Sequence, residues 1–183
     1  MVEIPELGRR LLRVKQGLAL RDADPLRFWH HSSAQSKEAT RLLLEVDELH
    51  ARAANKGGKT EWQYAAGLAI LQKRPDLDGI PLPQWRGRIE GVSLELDHEL
   101  QKLSSQQTIL RLLGRWPHHA KYVGDTLKTL RIMPVGGSSD ESRWSTLTFM
   151  SQKNMDTGKG VRADLVLGNE PPREDIWREI RKA

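Results

Sequence analysis

The chain has 183 residues, enough for one ordinary domain with a real core, and none of its apolar runs reaches the ~18 residues of a membrane span. It has no cysteine, which excludes disulfides, cysteine zinc sites and a thiol nucleophile, and its start, MVEIPELGRRLL, lacks the basic-then-apolar pattern of a secretion signal. The net charge of +5 and mean hydropathy of −0.58 permit contact with nucleic acid, although a solvated basic surface reads the same way.

Residues 5–20, PELGRRLLRVKQGLAL, space apolar positions at helical intervals and begin with proline, a good first-turn residue. RDADP breaks that helix. SAQSKEATRLLLEVDEL, residues 33–49, reads as a second helix with Ser33 as its N-cap. AANKGGKT, residues 53–60, follows. It matches the end of the phosphate-loop pattern G-x-x-x-x-G-K-[ST], with Gly57 and Gly58 before Lys59 and Thr60, but Ala53 stands where the first glycine belongs. Then TEWQYAAGLAILQKR, residues 60–74, is Ala-rich and helical and stops at Pro75. PDLDGIPLPQWRGR is a proline-punctuated loop. IEGVSLEL (89–96) alternates like a strand, and DHELQKLSSQQTILRLLG (97–114) is an amphipathic helix ending at Gly114. TLKTLRIMPV and RWSTLTFMSQ are strand-like, with the turn GGSSDES between them. ADLVLGNEPP (163–172) is a short apolar strand, and REDIWREIRKA is a last helix. Strands alternate with helices, so a three-layer α/β sandwich is the expected class.

A phosphate loop presents backbone N–H groups at a helix N-terminus, where glycines let phosphate come close. A helix does follow Thr60. The segment before it, VDELHARAA, is a poor buried strand because Glu48, His50 and Arg52 interrupt it, and alone GGKT reads equally as a structural turn. A nucleotide hydrolase also needs an apolar strand ending in carboxylates for Mg²⁺ and for the attacking water. LVLGNE supplies Leu165–Leu167, then Asn169 at the metal side and Glu170 as the second acid.

These two stretches resemble the ATPase half of the large terminase subunit of tailed bacteriophages. RAANKGGKTE looks like that family's deviant phosphate loop, with Lys56 as its added base or Arg52 as the alternative, and GVRADLVLGNEPPREDIWREI is similar to its acidic strand. The middle of the chain resembles the family's strand–helix–strand succession, and Gln35 stands where such ATPases place an adenine-reading glutamine. The resemblance covers most of residues 25–182. It implies a P-loop NTPase-like fold with a mostly parallel sheet, incomplete at its C-terminal end, with an N-terminal helix (1–24) before a partial ATPase domain (25–183). By the same resemblance Gly57, Gly58, Lys59 and Thr60 hold ATP and Mg²⁺, Asn169 takes the metal side, Glu170 activates water and Lys56 stabilises the transferred phosphoryl. The implied partners are double-stranded DNA, a portal ring, a small terminase subunit and further copies in the assembled motor. The implied location is the host bacterial cytoplasm, with no membrane.

Asn169 departs from the family's aspartate and, being neutral, holds Mg²⁺ less well. The chain stops soon after the acidic strand, so the family's coupling motif and nuclease domain are not expected in it. Two other readings stay open: a remnant that binds nucleotide or motor partners without turnover, and a basic DNA-binding module. The histidine pairs at 30–31 and 118–119 are not expected to chelate metal, because adjacent side chains diverge, and the six tryptophans are expected to be core or interface anchors.

Overall fold

The molecule is built around one five-stranded sheet. The computed structural model describes residues 4–46, 58–137, 139–153, 163–168 and 173–181. The elements in order are α1 (Ile4–Ala23), a 3₁₀ turn (Pro25–Phe28), α2 (Ala34–Leu42), α3 (Lys59–Leu71), β1 (Asp76–Leu77), β2 (Ile80–Pro81), β3 (Glu90–Glu95), α4 (His98–Leu100), α5 (Gln107–Leu113), β4 (His118–Val123), β5 (Thr126–Ile132), β6 (Ser145–Ser151), β7 (Leu165–Gly168) and α6 (Glu174–Arg181). A π-helical stretch, Gln101–Gln106, joins α4 to α5.

The five-stranded sheet runs in the order β4-β5-β6-β3-β7. β3 pairs parallel with both β6 and β7, whereas β4–β5 and β5–β6 are antiparallel. The α/β class holds, but the sheet is mixed and not mostly parallel. The cause is β4. Its residues from His119 onward are exposed, so no apolar alternation marks it in the sequence. The two-residue turn Gly124-Asp125 folds it back on β5, with Gly124 at φ 61°. A second hairpin, β1–β2, turns through Asp78 and Gly79, both at positive φ.

Helices cover both faces. On one, Gly91, Ser93, Leu147, Leu130, Ile132 and Leu167 face α3 and α5, whose Leu68, Leu71, Ile109 and Leu113 are wholly buried. On the other, Val92, Leu94, Met150 and Val166 pack against Ile176 and Trp177 of α6. All six tryptophans are buried or packed against these clusters, as anchors should be. Ser33 caps α2 in a reciprocal capping box with Ser36, and α2 ends sooner than its sequence suggests, at Leu42.

Candidate functional site

The site is built from the start of α3. Gly58 is its N-cap, at φ 70°, and as a glycine it supplies no side-chain cap. A Cβ at Gly58 would stand 2.8 Å from the Ser32 hydroxyl, so glycine serves both the left-handed turn and this close approach. Lys59 and Thr60 follow, both half-buried.

Four consecutive side chains then fix the helix to its neighbours. Glu61 accepts from the Trp29 indole at 3.3 Å and pairs with Arg111 of α5 at 3.1 Å. The Trp62 indole donates to Thr40 Oγ1 of α2 at 2.8 Å. Gln63 Nε2 donates to the Gly168 carbonyl, the last residue of β7, at 2.8 Å. Tyr64 donates toward Glu95 Oε1 of β3 at 2.7 Å. One turn on, Gly67 lies against Leu167, so α3 runs back along β7 with its N-terminus at the strand's C-terminal end. That end of a parallel unit is where α/β proteins hold ligands.

Gln35 is exposed on the first turn of α2, three residues beyond the Ser32 that abuts Gly58. Arg52, Lys56, Gly57, Asn169 and Glu170 lie outside the described residues, as does the segment entering the loop. The neighbour found for β7 is β3. Two cavities accompany this end and its opposite. One of ≈ 190 Å³ opens among Leu96, Asp97, Gln152, Lys153 and Arg173, at the C-terminal ends of β3 and β6. A larger one of ≈ 580 Å³ lies at the far end of these strands, beside Lys73, Arg88 and Trp144, away from the α3 N-terminus.

Sequence reasoning missed Glu95. It closes β3, is 4% exposed, and takes hydrogen bonds from Tyr64 and from Ser105, whose oxygens are themselves 2.7 Å apart. Burial, and then the charge of Glu95, push the Tyr64 phenol well above its ordinary range, so it stays protonated as a donor. The signal was an acid ending an apolar run, VSLE, the same cue that selected LVLGNE.

The histidines at 30–31 converge where divergence was expected. His30 Nδ1 lies 2.7 Å from Asp78 Oδ1, and His31 Nδ1 lies 3.0 Å from Asp78 Oδ2. His31 also donates its backbone N–H to that carboxylate, and its Nε2 meets Thr40 Oγ1 at 2.8 Å. Among the described residues no group of three or more His, Asp or Glu side chains could hold a metal ion. The hydrogen bonds from His30, then His31, hold the Asp78 carboxyl well below the usual carboxylate range. A depressed folded value stabilises the fold above the unfolded value of about 3.9, and that contribution is lost as pH falls through the folded value. Asp78→Asn is therefore expected to cost about 1–2 kcal/mol near pH 6, with the gap to wild type closing below about pH 4. Urea unfolding at pH 6 and pH 3 checks this, and an equal gap at both would refute it.

No family model matches the chain, and neither a curated protein nor a solved structure matches it.

Proposed function

We propose that the chain is the nucleotide-binding motor module of a phage DNA-packaging terminase. The observation that carries this reading is the Gln63–Gly168 hydrogen bond. Through it the helix that opens with GGKT and the strand that leads into Asn169 and Glu170 meet at one end of the sheet. The two stretches were selected by phosphate chemistry, 110 residues apart in sequence, and a shared site requires this proximity.

The residues present fit a nucleotide phosphate group: a helix start whose N-cap is a glycine at positive φ, with a lysine next to it. Gly57, Gly58 and the first-turn N–H groups of α3 would cradle the β- and γ-phosphates of ATP. Lys59 would supply the fixed positive charge there. Thr60 and Asn169 would hold Mg²⁺, which neutralises charge on the phosphate oxygens when bound. Glu170 would take a proton from the attacking water, and Lys56 or Arg52 would stabilise the charge of the moving phosphoryl. Gln35 is carried over as the adenine reader. Double-stranded DNA, a portal ring, a small terminase subunit and further copies of the chain are the partners this reading entails, in a host bacterial cytoplasm. A P-loop NTPase-like sheet also belongs to this reading. The two parallel pairs around β3 support it, and β5, antiparallel to both β4 and β6, departs from it.

The second reading is a nucleotide-binding remnant without turnover, and Asn169 is what favours it. Calorimetric titration with Mg²⁺–ATP is the test. Saturable binding is expected, with turnover slow in wild type and raised in Asn169→Asp, which restores the metal-side charge. Binding with no turnover in either protein selects the remnant. Absence of saturable binding overturns both.

A further inference from the structure

We propose that the ≈ 580 Å³ cavity at the amino-terminal ends of β3 and β6, opposite the GGKT end of the sheet, holds a phosphate of a DNA backbone. Its lining carries three cations, Lys73, Arg88 and Arg143, and no acid. Arg86, exposed on the other side of Gly87, adds a further positive charge beside it. Two carboxylates neighbour these arginines, and neither lines the cavity. Glu90 takes one N–H of Arg88. Asp140 stands 3.5 Å from Arg143 Nε and takes the Ser142 N–H and hydroxyl at 3.1 and 2.7 Å. A guanidinium has five N–H donors, so both arginines keep donors for a further acceptor. Lys73 has no acid partner among the described residues; its Nζ donates to the Gly87 carbonyl.

The backbone of Lys73 sets this cavity apart from an ordinary solvated basic patch. Gln72 is the C-cap of α3. The Lys73 N–H donates to the Ile70 carbonyl at 2.8 Å and the Arg74 N–H to the Ala69 carbonyl at 2.9 Å. That pair of bonds closes a helix through a left-handed residue, and glycine is its usual occupant. Lys73 takes the place at φ 55°, where its own Cβ crowds the backbone. Strain of this kind gathers at sites of use. Here it places a lysine on the wall of a cavity that already holds two arginines.

The rest of the lining selects the ligand. Gly87, Gly136 and Gly137 leave their part of the wall without side chains, so a bulky anion can come close to the cations. Trp144 is 6% exposed, too covered to stack on a base, and Pro134 is the other apolar residue of the wall. Neither a base nor an apolar peptide side chain has a seat. A lone ion would leave most of the volume to water, at about 30 Å³ for each molecule. A backbone phosphate brings its sugars with it, and Arg88 and Arg143 are exposed where a duplex laid over the opening meets them. Such contacts position a duplex without reading its sequence. Only the choice of double-stranded DNA as the polymer rests on the proposed function.

The test titrates a short fluorescent duplex with the full chain, without ATP, at about 50 to 200 mM NaCl. Lys73→Gly is expected to weaken binding about fivefold to tenfold, on any sequence, and to lower the salt slope by about one. Its melting temperature should equal that of wild type or exceed it, because glycine suits the left-handed position. Arg88→Gln with Arg143→Ser should weaken binding further. Mg²⁺–ATP affinity should stay as in wild type throughout, since GGKT lies at the other end of the sheet. A chain that binds duplex in this way but not ATP upholds the cavity and ends the nucleotide reading. Absence of duplex binding, or wild-type affinity in Lys73→Gly, overturns the cavity and leaves the nucleotide reading standing. A Lys73→Gly chain that melts well below wild type overturns it as well, because the Lys73–Gly87 bond is then a structural tether. So does tighter binding of polyglutamate than of duplex, or binding of pyrophosphate at Lys73 with no duplex bound.

Discussion

Gly67→Val is expected to destabilise the protein by about 3 kcal/mol, the upper part of the range for overpacking a close-packed core. A Cβ at Gly67 would lie 2.5 and 2.7 Å from the two methyl carbons of Leu167 and 3.1 Å from its Cγ. Leu167 is 5% exposed and sits in the same cluster as Leu68 and Leu71, so it has little room to turn away. Glycine in a helix interior ordinarily costs about 1 kcal/mol relative to alanine. Here that cost admits a close helix–strand contact. Gly67→Ala regains the helical preference while clashing less, so its loss should be the smaller of the two. Urea unfolding at neutral pH gives both values. A valine variant within about 0.5 kcal/mol of wild type would mean that α3 can lift off β7 freely, which the Gln63–Gly168 bond argues against.

Lys59→Ala should lower ATP affinity by more than about a hundredfold, near 3 kcal/mol. Lys59 is the full positive charge that the phosphate-loop pattern itself fixes on the terminal phosphates, and charge-assisted bonds to phosphate are the strong ones. Glu170→Gln should leave that affinity in place and remove turnover by about 10²–10⁴, because the amide cannot take the water's proton. The pair separates binding from chemistry. Equal ATP affinity in wild type and Lys59→Ala would end the phosphate-loop assignment, and hydrolysis persisting in Glu170→Gln would end the catalytic one.

Much of the fold was legible because burial writes a period into the chain. β5 and β6 bury residues in near alternation, β3 is buried along almost its whole length and β7 is a short apolar run that buries Leu167, and each was read where it lies. Ser33 was legible as a cap because a serine precedes the first helical residue, and in the structure it exchanges bonds with Ser36. β4 was not, because a strand exposed along its length has no apolar period. β1 and β2 were hidden inside a proline-rich loop, although Asp78-Gly79 is a hairpin signal. The candidate site was legible only as types of residue: a glycine pair, a lysine and an acid. What sequence could not give was distance. Gly67 against Leu167 and Gln63 against Gly168 are contacts across roughly a hundred positions, and neither residue announces its partner.

The π-helical stretch Gln101–Gln106 has a consequence for how this region can change. Within it Gln101 Nε2 donates to the Ser93 and Met150 carbonyls at 2.9 and 3.1 Å, Ser105 reaches Glu95, and Gln106 Nε2 donates to the Leu127 carbonyl at 3.0 Å. An extra residue per turn puts the helix out of phase with itself, so three polar side chains face strand backbones before α5 resumes an apolar face with Ile109 and Leu113. Deleting one residue here would restore regular winding and swing everything on one side of the cut by about 100°. Either the amides would leave the strands or Ile109 would turn to water. The stretch thus behaves as a frame-shifted splice in three dimensions, in which substitution is cheap at many positions and a change of length at almost none.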